Sequence, residues 1–257
     1  MSRSPTVLAR RPREGAATWS LVAAAVLVQV AYPLTADTWR TPVTVLSVVV
    51  FAAAALADCA RRHGLRGAAT LVAVAGGVGL VAEAVGVSTG VPFGEYTYTG
   101  TLGSELIGVP VVVPLAWLMM AWPALVVGRA LATSRVGVTV VGGLALATWD
   151  VFLDPQMVDA GHWAWTHPAP GLPLVPGVPL TNFVGWVLVA VVIVGILHAL
   201  LPAPGDVSRP AAALYLWVYA SSVLAHVAFF GRPGSALVGG LLMGAVAIPF
   251  ALRLRST

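Results

Sequence analysis

Hydrophobic positions in this chain come in long unbroken runs, not in the alternations or spaced stripes of a soluble domain. Eight runs are long enough, or nearly so, to cross a hydrocarbon core that needs about 20 helical residues. They fall at roughly 17–35, 42–60, 68–88, 109–130, 136–154, 180–201, 210–230 and 236–253. Two starts carry helix-entry signals. Thr41 before Pro42, and Ser208 ahead of Pro210, place a capping hydroxyl and a pre-set proline at a first turn. The pattern predicts an all-α fold: a polytopic integral membrane helical bundle of about eight transmembrane helices, forming a single membrane domain over 1–257.

Composition agrees. Hydrophobic residues make up 58% and charged residues 9%, where a soluble domain carries about 25% charged. The expected location is a cell membrane, with multiple passes. Arginine placement predicts the orientation. With the N-terminus cytoplasmic, twelve arginines (3, 10, 11, 13, 61, 62, 66, 129, 135, 209, 253 and 255) fall inside and two (40 and 232) outside. Both termini are then cytoplasmic, and 1–16 is a basic cytoplasmic tail. The first run has some features of a signal peptide, with arginines before it and "LTA" after it. We read it as a retained span. The net charge of +4 is no nucleic-acid signal, because topology explains the arginines. The single cysteine, Cys59, excludes an intrachain disulfide and a cysteine-based metal site.

Two outer loops are long, at 87–108 and 155–180. They are rich in Gly, Pro, Tyr and Trp and poor in charge. Such sequence suits loops that lie at the membrane interface and cap something.

The acids raise the question of chemistry. In "TWDVFLDPQM", Asp150 and Asp154 are four residues apart, on one face of a helix. Asp150 falls in the last turns of the fifth predicted span and Asp154 at its outer boundary. Glu83 lies about a turn inside the outer end of the third. Thr181 and Asn182 open the sixth span from the same side, and Glu95 and Glu105 lie in the first outer loop. An aspartate at the centre of a membrane helix costs about 2.5–3.5 kcal/mol on insertion scales, and intramembrane acids are functional by default. A carboxylic acid beside a carboxylate is the usual equipment for acid–base work.

Each residue also has a bland reading. Glu83 could only join two helices, Asp154 could end a helix ahead of Pro155, and Glu95 and Glu105 could be solvated. Tyr96, Tyr98, Trp163 and Trp165 could be interfacial belt residues or pocket walls. His162 and His167 lack a third ligand at a recognised spacing, so no metal is expected. His198 and His226 read as packing residues.

Several function classes fit such acids. A D-x-x-x-D pair could hold Mg²⁺ for a prenyltransferase, but a second acidic motif is missing, since Val87 stands four residues after Glu83. A proton-coupled transporter would use the acids as a relay, but no arginine lies deep in a span and no inverted repeat is visible. A non-catalytic scaffold for other enzymes is a third reading. The fourth is an enzyme for a lipid-soluble substrate. No cofactor motif is present, so its chemistry would need only acid, base and water: isomerisation, hydration or cyclisation of an alkene.

The stretches "GVPFGEYTYTGTLGSELIGVPVVVPLAW", "WDVFLDPQMV", "GHWAW" and "GVPLTNFVGW" resemble the membrane carotenoid biosynthesis family, over roughly residues 70–200. That family includes carotenoid 1,2-hydratases acting on acyclic ψ-ends and bisanhydrobacterioruberin hydratases. The resemblance implies a cofactor-independent hydratase. Water would add across a terminal C1=C2 double bond to leave a tertiary 1-hydroxy group. It implies a lipid-soluble carotenoid and water as substrates, with other carotenoid biosynthesis enzymes as partners. On this reading the catalytic candidates are Asp150, Glu83 and Asp154, with Asp150 the first choice of acid and Glu83 the second. Glu95, Tyr96, Trp149, Asn182 and Trp186 are the substrate-binding candidates. Trp149 and Tyr96 would face the cation, and Asp154 or Asn182 would hold the water.

Overall fold

The computed structural model describes residues 15–256. The predicted tail at 1–16 lies almost wholly outside the described residues. Among the described residues nine α-helices follow in order: α1 (Ala16–Ala31), α2 (Asp37–Leu71), α3 (Gly77–Thr89), α4 (Val112–Leu131), α5 (Arg135–Ala147), α6 (Asp150–Asp159), α7 (Leu180–Leu200), α8 (Arg209–Ala228) and α9 (Pro233–Arg255). Among the described residues, seven helical runs are long and apolar enough to cross a membrane. The all-α polytopic bundle read from the sequence is therefore observed.

The longest run, Asp37–Thr89, joins α2, a π-helical turn (Val72–Gly76) and α3. It is not straight. Gly64 takes φ 68° and ψ −176°, outside helical space, and φ in this range favours glycine. The chain folds back there. Asp58 accepts a hydrogen bond from the Trp122 indole at 2.8 Å, and Glu83 accepts one from the Trp117 indole at 2.9 Å. A straight helix would hold residues 58 and 83 about 37 Å apart, while residues 117 and 122 of α4 are separated by only about 7.5 Å of rise.

Helix α4 is the central post. Every residue from Trp117 to Gly128 is buried. Lipid offers apolar side chains no reason to leave it, so close approach of helices depends on small residues. Gly142 of α5 shows this: a Cβ there would lie 2.7 Å from the Val194 side chain of α7 and 3.1 Å from the Ala124 carbonyl of α4.

The sequence predicts one span over 136–154, ended by Pro155. The structure has two helices instead, α5 and α6, that meet at Thr148–Trp149. Pro155 lies inside α6, which continues to Asp159. The bias against helix before proline is overridden because Phe152, Asp154, Pro155 and Met157 are all buried by tertiary packing. Helix α3 likewise runs to Thr89, past the predicted start of the loop at 87.

The two long loops are not separate. β1 (Tyr96–Tyr98) pairs antiparallel with β4 (Trp163–Trp165), so that Tyr96 lies opposite Trp165 and Tyr98 opposite Trp163. β2 (Glu105–Leu106) and β3 (Val109–Pro110) form a short hairpin turned by Ile107 and Gly108, both at positive φ. The buried His162 fastens the pair, with Thr101 Oγ1 2.8 Å from its Nδ1 and the Thr99 amide donating to its carbonyl at 3.1 Å. Burial pushes the His162 imidazole below its usual range, so it is neutral. Sequence inspection predicts loops here but no strands. The three-residue strands are set by their partners across the fold.

Arg61, Arg62 and Arg129 gather at the opposite end from these loops. Arg62 pairs with Asp206 at 2.9 Å, and Arg129 donates to the Leu201 carbonyl. The Arg62 guanidinium holds Asp206 below the usual carboxylate range.

Candidate active site

Glu83 is 5% exposed, on the inner face of α3. Three donors hold its carboxylate. The Tyr96 and Tyr98 hydroxyls of β1 both donate to Oε2, at 2.5 and 2.8 Å, and the Trp117 indole of α4 donates to Oε1 at 2.9 Å. Burial, and then the adjacent Glu83, push both tyrosines well above the usual phenol range, so both hydroxyls stay protonated as donors. Gly79, one turn before Glu83, makes the indole bond possible. A Cβ there would lie 2.7 Å from the Trp117 ring.

Asp150 is 0% and Asp154 3% exposed. They keep the one-turn spacing read from the sequence, now on α6. The Asn182 side-chain amide at the start of α7 bridges them. Its Nδ2 donates to Asp150 Oδ2 at 2.8 Å and to Asp154 Oδ2 at 2.5 Å. The two carboxyls also interact with one another. Asp150 Oδ1 is buried and receives no donor.

Around the acids stands an aromatic wall. Trp117 stacks on Trp186, with ring centroids 3.9 Å apart and planes 17° apart. Trp149 meets Trp186 edge-on at 6.1 Å. Tyr96 leans on Trp165 at 5.6 Å, and the Trp165 indole donates to the Phe93 carbonyl at 2.9 Å. The loop ladder thus sets the Tyr96 hydroxyl above Glu83.

These groups surround a cavity of about 440 Å³, in the range of small-molecule sites. Six of the sequence candidates line it: Glu83, Tyr96, Trp149, Asp154, Asn182 and Trp186. Two do not. Asp150 sits behind Asp154 and Asn182, out of contact with the space. Glu95 lies on the surface, its carboxylate 69% exposed and 3.7 Å from His167. It stands just before β1, next to Tyr96, and in extended chain neighbouring side chains point to opposite faces. Three lining residues gain a role that the sequence did not assign. Trp117 is in the middle of an apolar run and carries no local signal. Tyr98 and Trp163 read equally well as belt residues, although the Y-T-Y and W-A-W alternation hints at one shared face.

Residues 41–252 match the family described as carotenoid biosynthesis protein. A bisanhydrobacterioruberin hydratase from Haloarcula japonica is 38% identical over 111 residues, which are 41% of this chain and 36% of that relative. No solved structure matches the chain. With the matched region running from the start of α2 into α9, and so including every acid of the site, the chain belongs to the carotenoid biosynthesis protein family.

Proposed function

We propose that this protein is a carotenoid hydratase that adds water across the terminal C1=C2 double bond of an acyclic carotenoid end. One observation carries the reading: buried carboxyl groups, with no cation paired to them among the described residues, open on an aromatic-walled cavity. The similarity to a bisanhydrobacterioruberin hydratase supports it.

The chemistry follows from the groups. Two buried carboxyls one helical turn apart, bridged by a neutral amide, are stable together when they share one proton. Asp154 faces the cavity and delivers that proton to C2 of the alkene. The π electrons form the new C2–H bond, and the cation settles at tertiary C1. Asp150 stands behind as the partner that holds charge and proton in turn. This reverses the order expected from sequence, where Asp150 is the first choice of acid. Glu83, its two oxygens fixed by three donors, faces the cation as a preorganised acceptor. The faces of Trp186, Trp149 and Tyr96 add quadrupole attraction. Water attacks C1, and its proton returns to the aspartate pair. One alkene and one water give one tertiary alcohol, and the acid is regenerated. The amide of Asn182 donates into both aspartates, where a Mg²⁺-binding pair would instead converge on a cation. That disfavours the prenyltransferase reading.

The test is pigment analysis of a carotenoid-producing bacterial host with and without this gene. The expected result is a mass gain of one water per hydrated end, in an acyclic or elongated background. Asp154→Asn should lower that gain by about 10²–10⁴-fold, and Asp150→Asn by less. No gain in any background, with the protein present in the membrane, would sink the proposal and leave a transporter or a scaffold.

A further inference from the structure

The cavity does not end at the acids. It continues between α1, α2 and α8, where Gln29, Ser47, Ser221 and Ala225 line it. Several lining residues here are also exposed on the lipid-facing surface: Val30 is 45%, Leu34 73%, Leu224 61% and Phe229 52% exposed. A pocket wall that is also outer surface marks an opening, and this opening is sideways between α1 and α8. It is rimmed by apolar side chains, with Pro33, Phe229 and Phe230 from the connections after α1 and α8 among them. Within the arm the Trp217 indole donates to Gln29 Oε1 at 2.7 Å and joins the two helices. On the α8 side, Ala220, Ser221, Ser222 and Ala225 leave room that larger side chains would take.

We infer that this arm is the channel for the rest of the substrate: a long, rod-like apolar chain that enters sideways from the bilayer and leaves only its terminal alkene at Glu83 and Asp154. The inference rests on the hydratase reading for what happens at the inner end. The occupant follows from continuity and chemistry. The arm joins the acid site without a break, its mouth is set among apolar side chains, and among the described residues no Arg, Lys, Asp or Glu lines it between the mouth and Glu83 or Asp154. A charged or compact polar substrate would have to cross lipid to reach that mouth. A long polyene is already dissolved there.

The experiment uses purified full-length protein in detergent with an acyclic carotene as probe. Binding is read from induced circular dichroism of the polyene bands, and hydration from product mass. Ala225→Trp fills the arm, and Ala220→Trp narrows its exposed mouth, where added bulk is tolerated in folding. Val227→Trp puts the same bulk on the 61% exposed lipid face of α8, away from the cavity. The expected result is binding weakened by about tenfold or more in both arm variants, with Val227→Trp unchanged. Asp154→Asn should bind the probe and fail to hydrate it. If the folded arm variants bind like the wild type, the channel is refuted even where hydration persists. If the wild type binds the polyene, loses it in the arm variants and never hydrates it, the channel stands and the hydratase reading falls. If the wild type does not bind the probe at all, the channel is refuted.

Discussion

The Asn182 side chain bridges Asp150 and Asp154, donating at 2.8 and 2.5 Å to one oxygen of each. A neutral amide between two buried acids gives both an interaction without neutralising either. It therefore leaves the pair able to pass a proton. Asn182→Leu would strip both aspartates of this donor, at a cost of about 1–3 kcal/mol. We expect a lower melting temperature in detergent and a loss of hydration of about 10²-fold or more. Normal product from folded Asn182→Leu would mean that the bridge has no part in proton transfer.

Glu83 is expected to matter as the acceptor of three hydrogen bonds and Gly79 through its lack of a side chain. Glu83→Gln keeps the shape but turns an amide NH₂ toward groups that are themselves donors. That should cost about 1–3 kcal/mol and abolish hydration. Gly79→Ala pushes directly on the Trp117 ring, so it should disturb the Glu83 bond and the Trp186 stack together. A tryptophan fluorescence shift, with hydration reduced in parallel, is the expected signature. An unchanged spectrum with full activity would count against the indole as a positioning group.

Asp58 is the contrasting case. It is fully buried, yet every contact is structural: Trp122 and Ser208 donate to Oδ2 at 2.8 and 2.5 Å, and Arg61 pairs with Oδ1 at 3.2 Å. Ser208 also caps α8, so this carboxylate ties α2, α4 and α8 together at the arginine end. Asp58→Ala should reduce the amount of folded protein and cost about 1–3 kcal/mol. Product per folded molecule should hold steady. A folded variant with selectively lost turnover would instead link this end to the chemistry.

His162 gives the loop ladder a pH dependence of known sign. Its folded-state value is depressed by burial, so the unfolded or opened loop takes up a proton first as pH falls. Pairing of β1 with β4 is then unaffected above the ordinary histidine range, about 6.5, and weakens as pH drops below it. Hydrogen exchange over β1 and β4 should speed up on acidification, and His162→Gln should flatten that response. Exchange that does not change with pH, after correction for its intrinsic rate, would contradict the burial argument.

The sequence by itself determined the solvent and the class of fold. Runs of apolar residues with 9% charge have no stable home but a bilayer. The acids also showed themselves in sequence, because a carboxylate is conspicuous in such a background. The spacing of Asp150 and Asp154 carried their shared face, since helical periodicity is local.

What only tertiary structure decided is which group meets which. Trp117 gives no sign in an apolar run that it will bond Glu83, 34 residues away. Nor did Asp58 stand out as a structural acid, because its partners come from three separated segments. Whether Asp150 or Asp154 faces the cavity depends on the rotation of α6 against α7, which no local signal sets. Glu95 immediately precedes Tyr96, the first residue of a strand that exists only because β4 lies beside it. The lateral opening is a gap between α1 and α8, far apart in the chain. Local periodicity fixes faces, but packing across long sequence distances chooses their partners, and a site built of partners is written only in the folded chain.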